Sequence, residues 1–222
     1  MLKPYEEKLQ LIKNEVQTLG NDVVLALEFC LKTLEKHEFE ILNKVEISEK
    51  KTLIKSNEID NIIISTLALY KPEARDLRRL VVYLKITNEI VRTAANVKDF
   101  AKLFKKAYSK DLKEDEILKQ TISLLKSALE SSKLAISIID EQDKLKVEDK
   151  YKKVLVLESK TDDIYLMMEK NILKLISNNL ELSKDYFDIL SSLRRLEKIA
   201  DRAVSIASLL QFAKLGGDMI QS

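Results

Sequence analysis

The sequence predicts an all-α protein built from two tandem, pseudo-symmetric three-helix bundles. Its 222 residues include only three glycines and two prolines, too few to end and turn the many strands of a sheet protein. Apolar residues recur every three or four positions through most of the chain, which is typical of helices with one buried face. The second half also resembles the first, which indicates one three-helix unit written twice.

The first three helices are predicted from an apolar stripe and two breaks. The stripe of the first helix has steps of three and four residues and consists of Leu9, Ile12, Val16, Leu19, Val23 and Leu27. A weak break at His37 and Glu38 ends this helix, and Pro72 suits the first turn of the third helix. The polar link 108–111 ends the third helix. The predicted ranges are residues 3–36, 38–70 and 72–107.

The last three helices are separated by polar segments at 141–143 and 177–179, and Gly216 with Gly217 closes the chain's last helix. The predicted ranges are residues 112–142, 146–177 and 183–215. Such long helices with short connections pack as antiparallel neighbours in a bundle.

The internal repeat sets the domain boundary. When Asp60 is set against Asp162, and Ala94 against Ala200, core positions of one half fall on core positions of the other. The predicted domains are therefore a first bundle over residues 1–108 and a second over residues 109–222.

The charge balance limits the classes of partner. The chain has 38 basic and 36 acidic side chains, which argues against general nucleic-acid binding. Between Lys71 and Lys110, eleven basic residues face four acidic ones, a segment that could meet an acidic partner or membrane surface, or be a solvated helix face. The single cysteine, Cys30, lies in an apolar run and is predicted to be a small core residue. With no signal core and no apolar stretch long enough to span a bilayer, the predicted location is the cytoplasm.

Two pairs of acidic residues form the candidate site. Each pair has a spacing of four residues, which places both carboxylates on one face of a helix, just past its apolar stripe. The pairs are Glu158 with Asp162, and Glu197 with Asp201. Side by side, four carboxylates repel one another unless a cation lies among them, and oxygen ligands suit iron, manganese, magnesium or calcium. The alternative is that these are ordinary charges beside an apolar stripe.

No catalytic residue is predicted. The chain has one histidine, His37, and no Glu-x-x-His pair, so the usual ligands of a ferritin-like di-iron oxidase are missing. It also lacks a glycine-rich loop for a phosphate. A metal-dependent hydrolase would need a general base beyond the carboxylates themselves. The sequence therefore favours a protein that is not an enzyme.

Two segments carry a resemblance to a known family. One is KPEARDLR at residues 71–78, and the other is LRRLEKIADRA at residues 193–203. Across nearly its whole length the chain resembles PhoU, the phosphate-specific transport accessory protein. The resemblance implies two three-helix bundles with Glu/Asp-x-x-x-Asp motifs that bind metal clusters on the bundle surfaces.

The first repeat departs from that pattern. Its equivalent positions are Ser56, Asp60, Val91 and Ala95, so a single acid remains there. Glu58 and Glu89 are possible substitutes, but their spacing does not match. We therefore expect metal in the second bundle only, held by Glu158, Asp162, Glu197 and Asp201. Iron is the first choice, with manganese, magnesium, calcium and zinc as alternatives.

The resemblance also implies a regulatory function. It implies a negative regulator of phosphate uptake and phosphate-starvation signalling, acting as an adaptor between the ATPase of a Pst transporter and a PhoR-type sensor histidine kinase. A homodimer is expected, with membrane contact only through partners. The alternative is a metal-free structural bundle that serves another anion transporter. The candidate partner-binding residues, at the start of the third helix, are Arg75, Asp76, Arg78 and Arg79.

Overall fold

Six long helices make up almost all of the part of the chain that the computed structural model describes, which is residues 3–108, 112 and 115–216. They are α1 Lys3–Glu35, α2 Glu49–Tyr70, α3 Ala74–Ala107, α4 Asp115–Ser137, α5 Lys144–Asn178 and α6 Ser183–Leu215. A short 3₁₀ helix, Phe39–Lys44, lies between α1 and α2, and no strand occurs within these residues. The all-α prediction with six helices is confirmed.

The second helix begins later than predicted, at Glu49 rather than at residue 38. His37 has a positive φ of 57°, a left-handed conformation that ends α1. The chain then forms the 3₁₀ helix, in which Leu42 is fully buried and the ring of Phe39 lies 4.7 Å from that of Tyr108. The apolar spacing that suggested an α-helix here instead serves these tertiary contacts.

Two other boundaries shift by a few residues. Helix α3 begins at Ala74, two residues after Pro72, because Lys71 adopts a left-handed φ of 46° and ends α2. Helix α4 ends at Ser137, before the predicted residue 142, and turns connect it to α5. The side chain of Asp143 then accepts hydrogen bonds from backbone N–H groups of the first turn of α5 and caps that helix. The predicted link at 109–111 and Gly217 lie outside the described residues.

The two halves pack as pseudo-symmetric counterparts around a central ring of four helices. In the ring α1 packs on α3, α3 on α6, α6 on α4, and α4 on α1, while α2 and α5 cover the two outer sides. Helices α3 and α6 run antiparallel and are joined by ion pairs along their length: Glu89 with Arg202 (2.8 Å), Asp99 with Arg195 (3.5 Å) and Lys106 with Asp188 (3.4 Å). The two bundles therefore share one interface and one continuous apolar core.

The buried face of α1 follows the predicted stripe. Ile12, Val16 and Leu27 are fully buried, whereas Leu9 at the edge is half-buried. Cys30 is also fully buried, and burial raises the pKa of its thiol to about 12, so it remains a protonated packing residue. Within the described ranges, no helix combines the length and apolar character that crossing a bilayer requires.

Candidate metal centre

Helices α5 and α6 bring the two acid pairs together at the edge of their contact. Buried residues next to the acids, Thr161 on α5 and Ala200 on α6, pack into the core and hold the carboxylates at its margin. Glu158, Asp162 and Asp201 each offer one oxygen, and these three oxygens all lie within 4.8 Å of one another. This is the only such group of acidic, histidine or cysteine side chains that the described residues form.

Glu197 lies next to this trio but does not belong to it. Its carboxylate, on a residue only 8% exposed, is 3.3 Å from the guanidinium of Arg194. That guanidinium also lies over the ring of Tyr165, 5.3 Å from the ring centroid, which is within the roughly 6 Å of a cation–π contact. The structure thus brings three of the four predicted ligands together and assigns the fourth an arginine partner. The i, i+3 spacing of Arg194 and Glu197 was the sequence signal for this pair.

The surroundings of the acids disfavour their ionised forms. Removal from water, together with the charges of Asp162 and Asp201, raises the pKa of Glu158. Burial, and then the charge of Asp201, raises the pKa of Glu197 to about 7. The pKa of Asp201 is also raised, first by partial removal from water and then by Asp162. A cation among these groups would favour their ionised forms again.

The donor set fits a hard cation. One buried oxygen of Asp162 and one of Glu197 have no hydrogen-bond partner in the described part of the chain, although buried polar atoms normally have one. Carboxylate oxygens at close range, with unused acceptor capacity and no neighbouring sulfur or imidazole ligand in the group, are ligands that divalent and ferric cations of the hard class prefer.

The equivalent edge of the first bundle has different chemistry. Asp60 accepts a hydrogen bond of 2.9 Å from the hydroxyl of Thr87, and burial raises the pKa of its carboxyl. Glu89, a possible substitute ligand, instead forms the ion pair with Arg202 on α6. The other possible substitute, Glu58, is exposed on α2. Metal binding in the second bundle alone stays a prediction.

Three of the four predicted partner-binding residues line one cleft, whereas the fourth packs against α6. The four are Arg75, Asp76, Arg78 and Arg79. Asp76 accepts a hydrogen bond from the hydroxyl of Tyr5 on α1, and the guanidinium of Arg78 lies over the ring of Phe212 on α6, 5.1 Å from its centroid. Arg75 is exposed. Of the four residues, Arg75 is therefore the most available to a partner.

Comparison with known proteins gives a consistent family relationship. The family model described as PhoU domain matches this chain twice, at residues 16–104 and 111–210. A curated relative from Xylella fastidiosa (strain 9a5c), named phosphate-specific transport system accessory protein PhoU homolog, is 25% identical over 226 residues, covering 99% of this chain and 90% of the relative. A relative of the same name from Clostridium acetobutylicum is 24% identical, covering 92% of this chain and 91% of its own length.

Solved structures show the same fold. The phosphate transport system regulatory protein PhoU from Streptococcus pneumoniae superimposes with a TM-score of 0.79 at 17% identity, covering 98% of this chain and 100% of its own. PhoU from Pseudomonas aeruginosa gives a TM-score of 0.60 at 20% identity, covering 97% and 98%. The two-bundle architecture is therefore common to these proteins.

Proposed function

Since the chain belongs to the PhoU family, we propose that it is an accessory protein of a phosphate-specific transport system and regulates phosphate uptake. The observation that carries the proposal is the match of the PhoU domain to both halves of the chain. The chain covers about nine-tenths of the length of each of the two curated relatives with this name.

The proposed mode of action is that of a cytoplasmic adaptor. As an adaptor, the chain contacts the ATPase of a Pst transporter and a PhoR-type sensor histidine kinase. When phosphate is plentiful, it suppresses both phosphate uptake and phosphate-starvation signalling. Long helices offer extended faces to such partners. The outer helices support this role, because α5 leaves Val156 and Leu173 more than half exposed and α2 does the same with Ile64 and Leu69. The same apolar side chains are available to a second copy of the chain in the proposed homodimer.

The role is regulatory rather than catalytic. The only histidine, His37, is exposed after α1 and Cys30 is buried in the core, so neither accompanies the carboxylate cluster. Glu158, Asp162 and Asp201 would hold a cation, with Glu197 beside them. A bound cation would neutralise these carboxylates and join α5 to α6.

Replacing Asp162 with asparagine should remove the bound ion and the stabilisation it provides. A metal at one hundred times its dissociation constant stabilises the fold by about 2.7 kcal/mol, which raises the Tm of a chain this size by about 5–10 °C. We expect that metal-dependent shift in the wild type and little of it in Asp162→Asn. Elemental analysis and thermal unfolding, with and without chelator, measure both effects for iron, manganese, magnesium, calcium and zinc.

The matched control is Asp163→Asn, an exposed acid one position further along α5. It should keep both the ion and the shift. An ion retained by Asp162→Asn, or by the predicted ligand variant Glu197→Ala, would remove that residue from the ligand set.

The adaptor role is tested by capture from cells grown with and without phosphate. We expect the wild type to recover components of the transporter or the sensor kinase, and Arg75→Glu to recover at most about a tenth as much, because reversing an exposed interface charge creates like-charge contacts. Lys102→Glu is the control, since Lys102 is also an exposed cation on α3.

Recovery of neither component by the wild type would contradict the adaptor role. Recovery of a different anion transporter would instead support the alternative of a structural adaptor for that system. Equal recovery by the wild type and Arg75→Glu would place the contact on another surface of the protein.

A further inference from the structure

A small cavity lies at one end of the molecule, where five segments meet. Its walls come from α1, the first turns of α3 and α5, the connection between α4 and α5, and the last turn of α6, and its volume is about 140 Å³. Its basic lining residues, one or two from each of four helices, are Lys13, Arg75, Arg79, Lys144 and Lys214. Glu141 is the one acidic residue among the lining side chains that the structure describes.

The acidic residues around the cavity are already engaged elsewhere. One carboxylate oxygen of Glu141 accepts the backbone N–H groups of Gln142 and Asp143, and the other pairs with Lys150 at 3.1 Å. Asp140 forms an ion pair with Lys13. Asp76 pairs with Arg79 at 3.8 Å, so ion pairs offset two of the five lining cations, Lys13 and Arg79.

The other three lining cations form no ion pair within the described residues. Arg75 and Lys144 are exposed at the rim, and neither forms an ion pair with any residue in the described ranges. The ammonium group of Lys214 donates to the backbone carbonyl oxygens of Ile139 and Glu141, which are uncharged acceptors. The cavity thus holds an excess of positive charge in a half-buried position.

Two further properties of the lining suit an anion. Burial lowers the pKa of Lys214 to about 8, and the nearby positive charges of Lys13 and Arg79 contribute to the same shift. Burial raises the pKa of Tyr83, on the cavity wall, to about 12, so its hydroxyl keeps its proton and can donate a hydrogen bond.

We propose that this cavity binds a small free tetrahedral oxyanion of the phosphate and sulfate class, held by Arg75, Lys144 and Lys214. Arginine and lysine side chains are the usual partners of such oxyanions, and a multivalent anion would relieve the repulsion among the cations. The first turn of α3, which lies at the cavity, adds the positive end of its helix dipole, whereas the carboxylate of Asp143 already caps α5.

The size of the cavity selects a small ligand. Its volume is on the order of ten water molecules, below the 300–1,000 Å³ typical of sites for drug-sized ligands, so it suits an inorganic anion rather than a nucleotide. The neighbouring cleft is larger, but Glu6, Glu73 and Asp76 line it and would repel a longer anionic ligand. The cavity shares Arg75 with the proposed adaptor contact and shares no residue with the metal centre. Because anion binding is measured on the purified chain without any partner, failure of this proposal and failure of the adaptor role are distinguishable.

Calorimetric titration of the full chain with inorganic phosphate, at constant ionic strength, tests the proposal. We expect saturable binding to the wild type, with sulfate competing for it, and at least about tenfold weaker binding to the double variant Arg75→Gln, Lys144→Gln, since both side chains contribute charge-assisted bonds. Both positions are exposed, so this variant should fold normally. Lys102→Gln, the same loss of charge at an exposed position on α3, should leave the affinity unchanged.

The pH dependence gives a second readout. The cations that face Lys214 are Lys13 on α1, Arg75 and Arg79 on α3, and Lys144 on α5. The acids that face it are Asp140 and Glu141 in the connection. A bound anion favours the charged form of Lys214, so sulfate, whose own charge is constant, should bind with proton uptake near pH 8 and lose affinity at higher pH. Binding of phosphate no stronger than that of chloride, or equal affinity in the wild type and the double variant, would overturn the proposal.

Discussion

Replacing Gly20 with valine is expected to lower the free energy of unfolding by about 2–3 kcal/mol, because it forces extra atoms into a filled contact. Gly20 lies on α1 where this helix crosses α4 of the other bundle. A Cβ atom at this position would lie 2.5 Å from Cδ1 of Ile136, closer than carbon atoms can approach. Ile136 is only 5% exposed, and its Cγ1 and Cγ2 atoms would also lie 3.0 and 3.1 Å from the new Cβ, so a shift of Cδ1 alone does not relieve the contact.

A neighbouring substitution provides the control for this prediction. Asn21→Val introduces the same side chain one position further along α1, at an exposed site, and should change stability by at most about 0.5 kcal/mol. Denaturant unfolding measures both variants. If Ile136→Ala is combined with Gly20→Val, the pair should be more stable than the two single effects predict, because the smaller side chain makes room. An additive result, or a harmless Gly20→Val, would show that the contact between α1 and α4 is loose.

Replacing Glu197 with glutamine is expected to stabilise the metal-free protein at pH 8 by about 1–3 kcal/mol. In the wild type at that pH, the buried carboxylate must be ionised beside Asp201 and Asp162. Glutamine has almost the same shape and cannot ionise, so it removes this unfavourable charge. The loss of the ion pair with Arg194 reduces the gain, but Arg194 is half exposed and can be solvated.

The effect should depend on pH in a defined direction. The pKa of Glu197 rises from an ordinary value of 4.5 to about 7 in the fold. Between these values the folded state retains a proton that the unfolded state has lost, so wild-type stability falls as pH rises through this window. The advantage of Glu197→Gln should therefore be absent below pH 4.5, grow through the window and be complete above pH 7.

Denaturant unfolding in the presence of a chelator, at several pH values, measures this difference. Glu130→Gln, at an exposed position on α4, is the control and should show no comparable change with pH. A Glu197→Gln variant that is less stable than the wild type at pH 8 would mean that the pair with Arg194 outweighs the cost of burying the carboxylate.

Much of the fold was predictable because the spacing of apolar residues along a helix indicates which of its faces is buried. The stripe through Ile12, Val16 and Leu27 predicted the buried side of α1, and Cys30 was correctly expected in the core. The start of α2 was not predictable from spacing. His37 takes a left-handed backbone conformation, and Phe39 packs against Tyr108, which follows α3 far along the chain.

The candidate metal centre was predictable in part. The four-residue spacing placed Glu158 with Asp162 on one face of α5, and Asp201 on the matching edge of α6, because helix geometry is local. The packing of α5 against α6 determines which carboxylate oxygens lie close together. The ion pair with Arg194 holds the carboxylate of Glu197 beside the trio and not within it. Of the partner-binding residues expected at the start of α3, only Arg78 lies apart, because it packs on Phe212 of α6.

By itself, the sequence determined the helical class, the duplication and the acidic faces of α5 and α6, since all three depend on spacing within single helices or on repetition along the chain. Only the tertiary structure decided that α1, α3, α4 and α6 form one central ring, that Gly20 meets Ile136, and that Lys214 joins Arg75 and Lys144 around one cavity. These arrangements bring together residues up to 139 positions apart (214 − 75), as for Arg75 and Lys214 at the cavity. The periodicity within a single helix carries no information about such distant pairs.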